Sequence, residues 1–153
     1  MIVVSDTTAI TTLIKSGDEN LLATLFGSVI VPPAVADELL AFHSRLPDFI
    51  QVRRGSAASR PAGTEQLGPG EAEAIQLAVE LHADWLLLDD RKARIAATRL
   101  GAHCAALTAL LVKAKQLGHI RSVREMLERF EQRGGLYLSE AVKEEVLRQA
   151  GES

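Results

Sequence analysis

The chain has 153 residues, 47% of them hydrophobic and 24% charged, which suits one soluble domain with a full core. The net charge of −3 provides no overall attraction to nucleic acid, so such a substrate would need a local basic patch or a bridging metal. The single Cys104 excludes an internal disulfide and a cysteine zinc site. The opening apolar run is too short for a signal peptide or membrane span, so we expect a cytoplasmic protein with no membrane contact.

Short apolar runs alternate with helical patterns in the first third of the chain. Residues 1–5 predict a strand, and the spacing of Ile10, Leu13 and Ile14 predicts a helix over Thr7–Ser16. The pattern then predicts a helix over Glu19–Phe26, a strand over 28–31, a helix beginning at Pro32-Pro33 and an edge strand over 49–52.

The alternation resumes after a stretch rich in small residues. Arg53–Leu67 contains glycine, serine and alanine and predicts a mobile loop. The pattern then predicts helices over Glu71–His82, Arg91–Leu100, Leu107–Gln116, Ser122–Gln132 and Ser139–Gln149, with strands at Trp85–Leu88 and near Ala102–Ala105, and Ser139 as the last N-cap. Such strand–helix alternation predicts an α/β fold with a parallel sheet and right-handed crossovers.

Two predicted strands end on acidic residues. The first run stops at Asp6 and the run from Leu86 stops at Asp89 and Asp90. In open parallel sheets, ligands bind beyond the carboxyl ends of the strands, so we expect these acids to meet there if the strands are neighbours. Converging carboxylates repel one another unless a hard cation such as Mg²⁺ or Mn²⁺ neutralises them. A plain helix cap is the alternative role for Asp6.

The glutamates on two predicted helices are the next candidate ligands. Glu71 shares a face with the apolar stripe, whereas Glu73, two residues on, points to a polar row that is typical of a solvated face. Glu71 is therefore the better ligand. Glu38 borders the core-facing side of its helix, where an acid is more often a rim residue than a ligand.

Residues around the second acidic pair have several possible roles. One of Asp89 and Asp90 can cap the next helix while the other reaches the site; Asp89 is the closer analogue of Asp6, and Asp90 could bind through water. Basic side chains that could hold a nucleic-acid backbone are Arg91, Lys92 and Arg94 after the pair, and Arg53, Arg54 and Arg60 on the loop. A solvated surface is the alternative for both basic clusters.

Four segments together resemble the PIN-domain family, in particular an uncharacterised prokaryotic branch similar to VapC-type toxins. They are Val3-Val-Ser-Asp-Thr-Thr-Ala-Ile10, Val31-Pro-Pro-Ala-Val-Ala-Asp-Glu38, Leu67-Gly-Pro-Gly-Glu-Ala-Glu-Ala-Ile75 and Leu86-Leu-Leu-Asp-Asp-Arg-Lys-Ala-Arg94. The resemblance covers Met1 to about Ile120. It implies an α/β/α sandwich on a parallel sheet. From the chain length we expect a single domain over residues 1–153, with residues 121–153, which carry no diagnostic motif, as a C-terminal helical extension.

The resemblance also implies a function and a site. It implies a Mg²⁺- or Mn²⁺-dependent ribonuclease, the toxin of a toxin–antitoxin pair. The acidic pocket would be formed by Asp6, Glu38, the Glu71/Glu73 segment and Asp89, with a supporting hydroxyl from Thr7 or Thr8. The chain departs from relatives at Thr8-Ala9, where many have Ser-Pro, and at Ala105-Ala106, where Gly-Thr is usual. A third departure, Asp89-Asp90 in place of Thr-x-Asp, leaves open whether the metal ligands form a complete set.

Two other classes of function stay open at this point. A catalytically weak PIN-like module would bind RNA or protein without cleavage, and a small phosphatase would use Asp6 as nucleophile but lacks an acid at Thr8. A toxin needs a cognate antitoxin, which could place an arginine or lysine among the carboxylates. Apolar rows on two helices could pack a second copy of the chain into a homodimer, with core packing as the alternative; the rows are Leu107, Leu110, Leu111 and Val123, Met126, Leu127.

Overall fold

A computed structural model of the chain describes residues 1–56 and 60–153. The strands in this part are β1 Val3–Ser5, β2 Val29–Val31, β3 Ile50–Val52, β4 Trp85–Leu87 and β5 Cys104–Ala105. The helices are α1 Thr7–Ser16, α2 Asn20–Phe26, α3 Pro33–Phe42, α4 Pro69–Glu80, α5 Arg91–Arg99, α6 Leu107–Gln116, α7 Val123–Arg129 and α8 Glu140–Gln149, with a π-helical turn at Phe130–Gly134.

The strands form one five-stranded sheet in the order β3-β2-β1-β4-β5, and every pair is parallel. All residues of β1 and β2 are buried, because helices cover the sheet on both faces. Burial on both faces explains why these strands are continuous apolar runs rather than alternating ones. The predicted α/β/α sandwich with a parallel sheet is confirmed, and Phe49–Val52 does provide the edge strand β3.

The register of β1 and β4 determines which residues lie together at the carboxyl edge of the sheet. Val4 pairs with Leu86, and Ser5 pairs with Leu87. One residue further along, the Asp6 N–H donates to the Leu87 carbonyl at 3.0 Å. The segments that follow the two central strands therefore leave the sheet side by side, at its carboxyl edge.

Most helix ends lie where local signals place them. Gly17 ends α1 with φ +80°, a conformation that glycine adopts without strain. Ser139 caps α8 by accepting from the Val142 N–H at 3.2 Å, which confirms the predicted cap. The prediction for α4 was wrong by two residues at each end: Pro69 occupies its first turn and Glu80 is its last residue.

The helix predicted over Ser122–Gln132 is not one regular α-helix. The α-helical part ends at Arg129, and the chain continues as the π-helical turn. This turn packs on α1: Phe130 is fully buried, and a Cβ on Gly134 would lie 2.9 Å from Thr12 Cγ2. The wider π geometry brings the glycine against α1, a tertiary contact that local sequence spacing does not encode.

The apolar rows of α6 and α7 face the interior of the same chain. Leu107, Leu111 and Val123 are completely buried, and the other three row residues are at most 6% exposed. The prediction that these rows are surplus and could pack a second copy was therefore wrong. A homodimer loses this support.

The described parts of the predicted mobile loop are held by hydrogen bonds. The Ser56 N–H and hydroxyl donate to the Glu80 carboxylate. Further along, the Arg60 guanidinium donates to the Leu67 carbonyl at 2.5 Å, and the buried Thr64 donates to the Pro61 carbonyl at 2.6 Å. Residues 57–59 of the loop lie outside the described part of the chain.

Among the described helices, none combines the length and apolar character that a membrane crossing requires.

Candidate functional site

Asp6 follows β1 and is only 2% exposed. It does cap α1, since its Oδ1 accepts from the Ala9 N–H at 3.2 Å. The backbone N–H of Asp89 lies close enough to lower the pKa of this carboxyl group, and the Asp89 carboxylate close enough to raise it, so the two predicted site residues are neighbours. The cap and the site role thus coexist in one side chain.

The electrostatic environment of Asp6 disfavours its charged form. Burial raises the pKa of Asp6 to about 7, and the nearby Asp89 and, more weakly, Glu71 carboxylates act in the same direction. Hydrogen bonds from Ala9 and Asp89 oppose this increase without cancelling it. Near neutral pH, about half of the Asp6 side chains would therefore be protonated unless a cation lies beside them.

Asp89 faces the same site and has one free oxygen. Its Oδ1 accepts from the Leu107 N–H at 3.0 Å, which ties the residue to the start of α6. Its Oδ2 is buried and has no hydrogen-bond partner among the described residues. Burial raises the pKa of Asp89, against the opposing effects of the Leu107 N–H and the Arg94 guanidinium. A buried, unpartnered carboxylate oxygen is a position where a cation would compensate for lost hydration.

Glu71 lies in the first turn of α4 and closes the site from that side. Its Oε1 accepts from the Gly68 N–H at 3.4 Å. Burial raises the pKa of Glu71, and the Asp90 and Glu38 carboxylates raise it further, so its environment is acidic. The charges of Asp90 and Glu38 therefore place the Glu71 carboxylate at the acidic cluster, two residues before Glu73. This arrangement favours Glu71 over Glu73 as a ligand.

Glu38 connects three helices around the site. Its Oε2 accepts from the Thr7 hydroxyl, and its Oε1 accepts from the Gly70 N–H at 3.1 Å. A Cβ on Gly70 would lie 2.6 Å from this Oε1, so the approach requires glycine. Glu38 is thus not simply a rim residue. It holds the start of α1 and the start of α4 in fixed positions beside Asp6 and Glu71.

Asp90 serves mainly as a helix cap. Its Oδ2 accepts from the Ala93 N–H at 2.9 Å at the start of α5, and the residue is exposed. Of the acidic pair, Asp90 caps and Asp89 points to the site. The charge of Asp90 nevertheless reaches Glu71, and its direct role as a metal ligand stays a prediction.

The predicted supporting and RNA-binding residues lie at different distances from the acids. Thr7 is bound to Glu38, whereas Thr8 is exposed. Arg91 and Lys92 are exposed on the first turn of α5. Arg94 is half-buried and close enough to Asp89 to lower the pKa of that carboxyl group. Among the described residues, Arg94 is thus a predicted RNA-binding cation whose charge acts on the acidic cluster.

Two contributors were not found from the sequence. Gly70 allows the contact with Glu38, and the Leu107 backbone N–H positions Asp89. The Gly-Pro-Gly sequence before Glu71 was a signal for a close backbone approach that could have identified Gly70. Nothing in the sequence around Leu107 indicates its N–H as a partner, because that contact depends on the pairing of β4 with β5.

The donor set fits a hard divalent cation. Within residues 1–56 and 60–153, no three histidine, cysteine or acidic side chains already have the arrangement of a metal site. However, the cluster consists of carboxylates alone, one of its buried oxygens lacks a partner, and its pKa values are raised. Oxygen donors of this kind suit Mg²⁺ or Mn²⁺. Asp6, Glu71 and Asp89 are the residues that could hold such an ion.

Comparison with known proteins agrees with this geometry. The fold is similar to that of a PilT N-terminus domain protein, SSO1118, from the hyperthermophilic archaeon Sulfolobus solfataricus P2, with a TM-score of 0.58 and 23% identity over 80% of this chain and 98% of that one. No curated protein matches the sequence significantly. A family model described as a PIN domain matches residues 2–152. With nearly the whole sequence matched, the chain belongs to the PIN-domain family.

Proposed function

We propose that this chain is a Mg²⁺- or Mn²⁺-dependent endoribonuclease. PIN domains are generally nucleases and generally use divalent metals. The observation that carries the proposal is that Asp6 and Asp89 are neighbours at the carboxyl ends of two adjacent strands, with Asp89 Oδ2 buried and without a partner among the described residues. Repulsion between these acids is best relieved by the ion that such a reaction requires.

The side chains of the site would have different roles in the reaction. Asp6, Glu71 and Asp89 would hold the cation, which when bound neutralises their charge and polarises the phosphodiester. Glu38 would keep Glu71 in place through its hydrogen bond with Gly70. Hydrolysis adds water across one P–O bond, and Arg94 beside the acids would hold a phosphate oxygen as negative charge develops on it.

A cleavage assay tests this proposal. A single-stranded RNA with a fluorophore and a quencher should be cut in the presence of Mg²⁺ or Mn²⁺ and not in EDTA. Asp6→Asn should abolish cleavage, while Asp37→Asn, which changes an exposed acid on α3, should not. Equal cleavage by both variants would show that the activity comes from another site or a contaminant.

A second function, a binding module without catalysis, is favoured by one observation. The described residues contain no preformed group of three metal-binding side chains, as expected if the metal set is incomplete. Such a module would bind RNA or a partner protein without responding to metal. RNA binding that is unchanged by Mg²⁺, together with no cleavage, would support this alternative.

We further propose that the ribonuclease is a cytoplasmic toxin with a cognate antitoxin. An acidic chain that cuts RNA needs control other than weak substrate attraction. A partner arginine among Asp6, Glu71 and Asp89 would satisfy their charge in place of a metal. Co-expression with the adjacent reading frame, followed by gel filtration and the cleavage assay, tests this. Equal cleavage with and without that protein would remove the toxin assignment and leave the nuclease assignment standing.

A further inference from the structure

A cleft of about 380 Å³ lies beside the acidic site and takes no part in the chemistry described above. One wall is the segment that leads into α4, and the other is the first part of α5; the lining residues are Gly63, Glu65, Gln66, Leu67, Lys92 and Ile95. Leu67 precedes Glu71 by four residues, and Lys92 follows Asp90 by two. Both walls begin at the acidic site: Gly70, three residues after Leu67, donates to Glu38, and Asp90, which caps α5, directly follows Asp89.

The chemistry of the lining suits a flat, partly apolar group with polar edges. Leu67 and Ile95 provide aliphatic surface, and Ile95 is 44% exposed although it lies on a well-formed helix. Gln66 and Lys92 are exposed at the rim with donors available in the side chain. Glu65 adds a carboxylate, which accepts hydrogen bonds and repels phosphate.

Hydrogen bonds within the segment hold the wall that carries Glu65 in place. Gly63 has φ +88°, and its N–H donates to Glu65 Oε1 at 3.2 Å. Two further hydrogen bonds, from Arg60 to the Leu67 carbonyl and from Thr64 to the Pro61 carbonyl, hold the segment on either side. The hydrogen bonds that the Glu65 carboxylate accepts from its own N–H and from the Gly63 N–H lower the pKa of Glu65, so it is an ionised acceptor at neutral pH.

We infer that this cleft binds an unpaired base of the nucleic-acid substrate, in a nucleotide next to the one that is cut. The aliphatic pair, Leu67 and Ile95, would contact the face of the base, and Glu65 and Gln66 would contact its edge. A carboxylate can accept from the exocyclic amino group of adenine, cytosine or guanine, whereas uracil offers only its N3–H, which lies between two carbonyl oxygens that repel a carboxylate. The inference rests on the proposed ribonuclease function and adds a preference for amino-bearing bases in single-stranded RNA.

Binding can be measured without cleavage. Fluorescence anisotropy with 2′-O-methyl oligonucleotides of equal length, oligo-A, oligo-C, oligo-U and an abasic oligomer, compares bases at constant phosphate charge. We expect wild-type protein to bind oligo-A and oligo-C at least about fivefold more tightly than oligo-U or the abasic oligomer. Glu65→Gln should remove the difference between oligo-C and oligo-U, because an amide can also donate to uracil.

A matched pair of variants locates the effect. Ile95→Ser should weaken oligo-A binding several-fold, whereas Val142→Ser on α8, where the valine is also 44% exposed, should not. Equal binding of all four oligomers by a protein that still cuts RNA would overturn the base site and leave the ribonuclease proposal intact. Absence of any binding and any cleavage would overturn both. Equal weakening by the two serine variants would also contradict the assignment of this cleft.

Discussion

Asp6→Asn should stabilise the metal-free protein above neutral pH. The pKa of Asp6 rises from its ordinary 3.8 to about 7 on folding, because the carboxyl group is buried beside Asp89. A raised acid pKa means that folding disfavours the charged form. Asp6 therefore does not reduce the free energy of unfolding below about pH 4. That free energy falls as the pH rises from about 4 to 7, while Asp6 is ionised in the unfolded chain and protonated in the folded one, and it stays at the lower value above pH 7.

The structure sets the scale of this effect. The pKa of Asp6 differs between 3.8 in the unfolded chain and about 7 in the folded one. At about 1.4 kcal/mol per pKa unit, this difference lowers the free energy of unfolding by about 4 kcal/mol at pH 8. Asparagine cannot ionise, is as good an N-cap as aspartate, and can still accept from the Ala9 N–H. Its amide could in addition donate to the unpartnered Asp89 Oδ2. We expect Asp6→Asn to be more stable than wild type by about 1–4 kcal/mol at pH 8 in EDTA.

Urea denaturation in EDTA between pH 5 and pH 8 measures this. The free energy of unfolding of wild type should fall across this pH range, and that of Asp6→Asn should fall less steeply. The slope that remains in the variant comes from the raised pKa values of Asp89 and Glu71. Addition of Mg²⁺ should stabilise wild type and leave the variant almost unchanged. A variant that is less stable than wild type at pH 8, with an unaltered pH slope, would refute the electrostatic account and leave Asp6 as a helix cap.

Three other changes test the surrounding contacts. Gly70→Ala should displace Glu38, whose oxygen would lie 2.6 Å from the new Cβ, so that stability falls by only about 1 kcal/mol while cleavage falls at least tenfold in the fluorescence assay. Arg94→Gln should raise the pKa of Asp89, so Mg²⁺ stabilisation should require a higher pH in thermal shift titrations. Glu152→Ala should cost about 1–3 kcal/mol in urea denaturation at pH 7, because its carboxylate binds Lys115, Ser122 and the start of α7, with unchanged RNA cleavage.

The pH dependence of the Glu152 effect can also be assigned. Burial alone would raise the pKa of Glu152, but its hydrogen bonds together lower it to about 2. A lowered acid pKa stabilises the fold above the ordinary value of 4.5, and this stabilisation is lost as the pH falls toward 2. The difference between wild type and Glu152→Ala should therefore shrink in acid.

The sequence predicts those parts of the molecule that depend on local signals. Buried strands are apolar runs, and the acids that follow β1 and β4 are placed by the end of each run, so Asp6 and Asp89 could be identified in advance. Asp89 could be preferred to Asp90 because it directly follows the apolar run, but its hydrogen bond with the Leu107 N–H could not be predicted, since that contact depends on the pairing of β4 with β5. The hydrogen bond between Glu38 and Gly70 joins two helices through residues that are 32 positions apart, so it has no local signature.

The C-terminal third shows the same division between local and tertiary causes. The Ser139 cap was predictable because the helix signal lies within four residues. The π-helical turn at Phe130–Gly134 was not, because it depends on the surface that α1 presents at Thr12. The spacing of apolar residues on α6 and α7 predicted the right faces, but spacing alone does not say whether the same chain or a second copy covers them.

The central claim is that Asp6, Glu71 and Asp89 hold the divalent cation on which RNA cleavage depends. Titration of Mn²⁺ followed by electron paramagnetic resonance, with cleavage measured in the same samples, tests it most directly. We predict that wild type binds one or two Mn²⁺ per chain and that cleavage rises in parallel with occupancy. Asp89→Asn should weaken Mn²⁺ binding at least tenfold and remove cleavage, while Asp37→Asn should change neither. Full Mn²⁺ binding by Asp89→Asn, or cleavage by wild type without bound metal, would contradict the account.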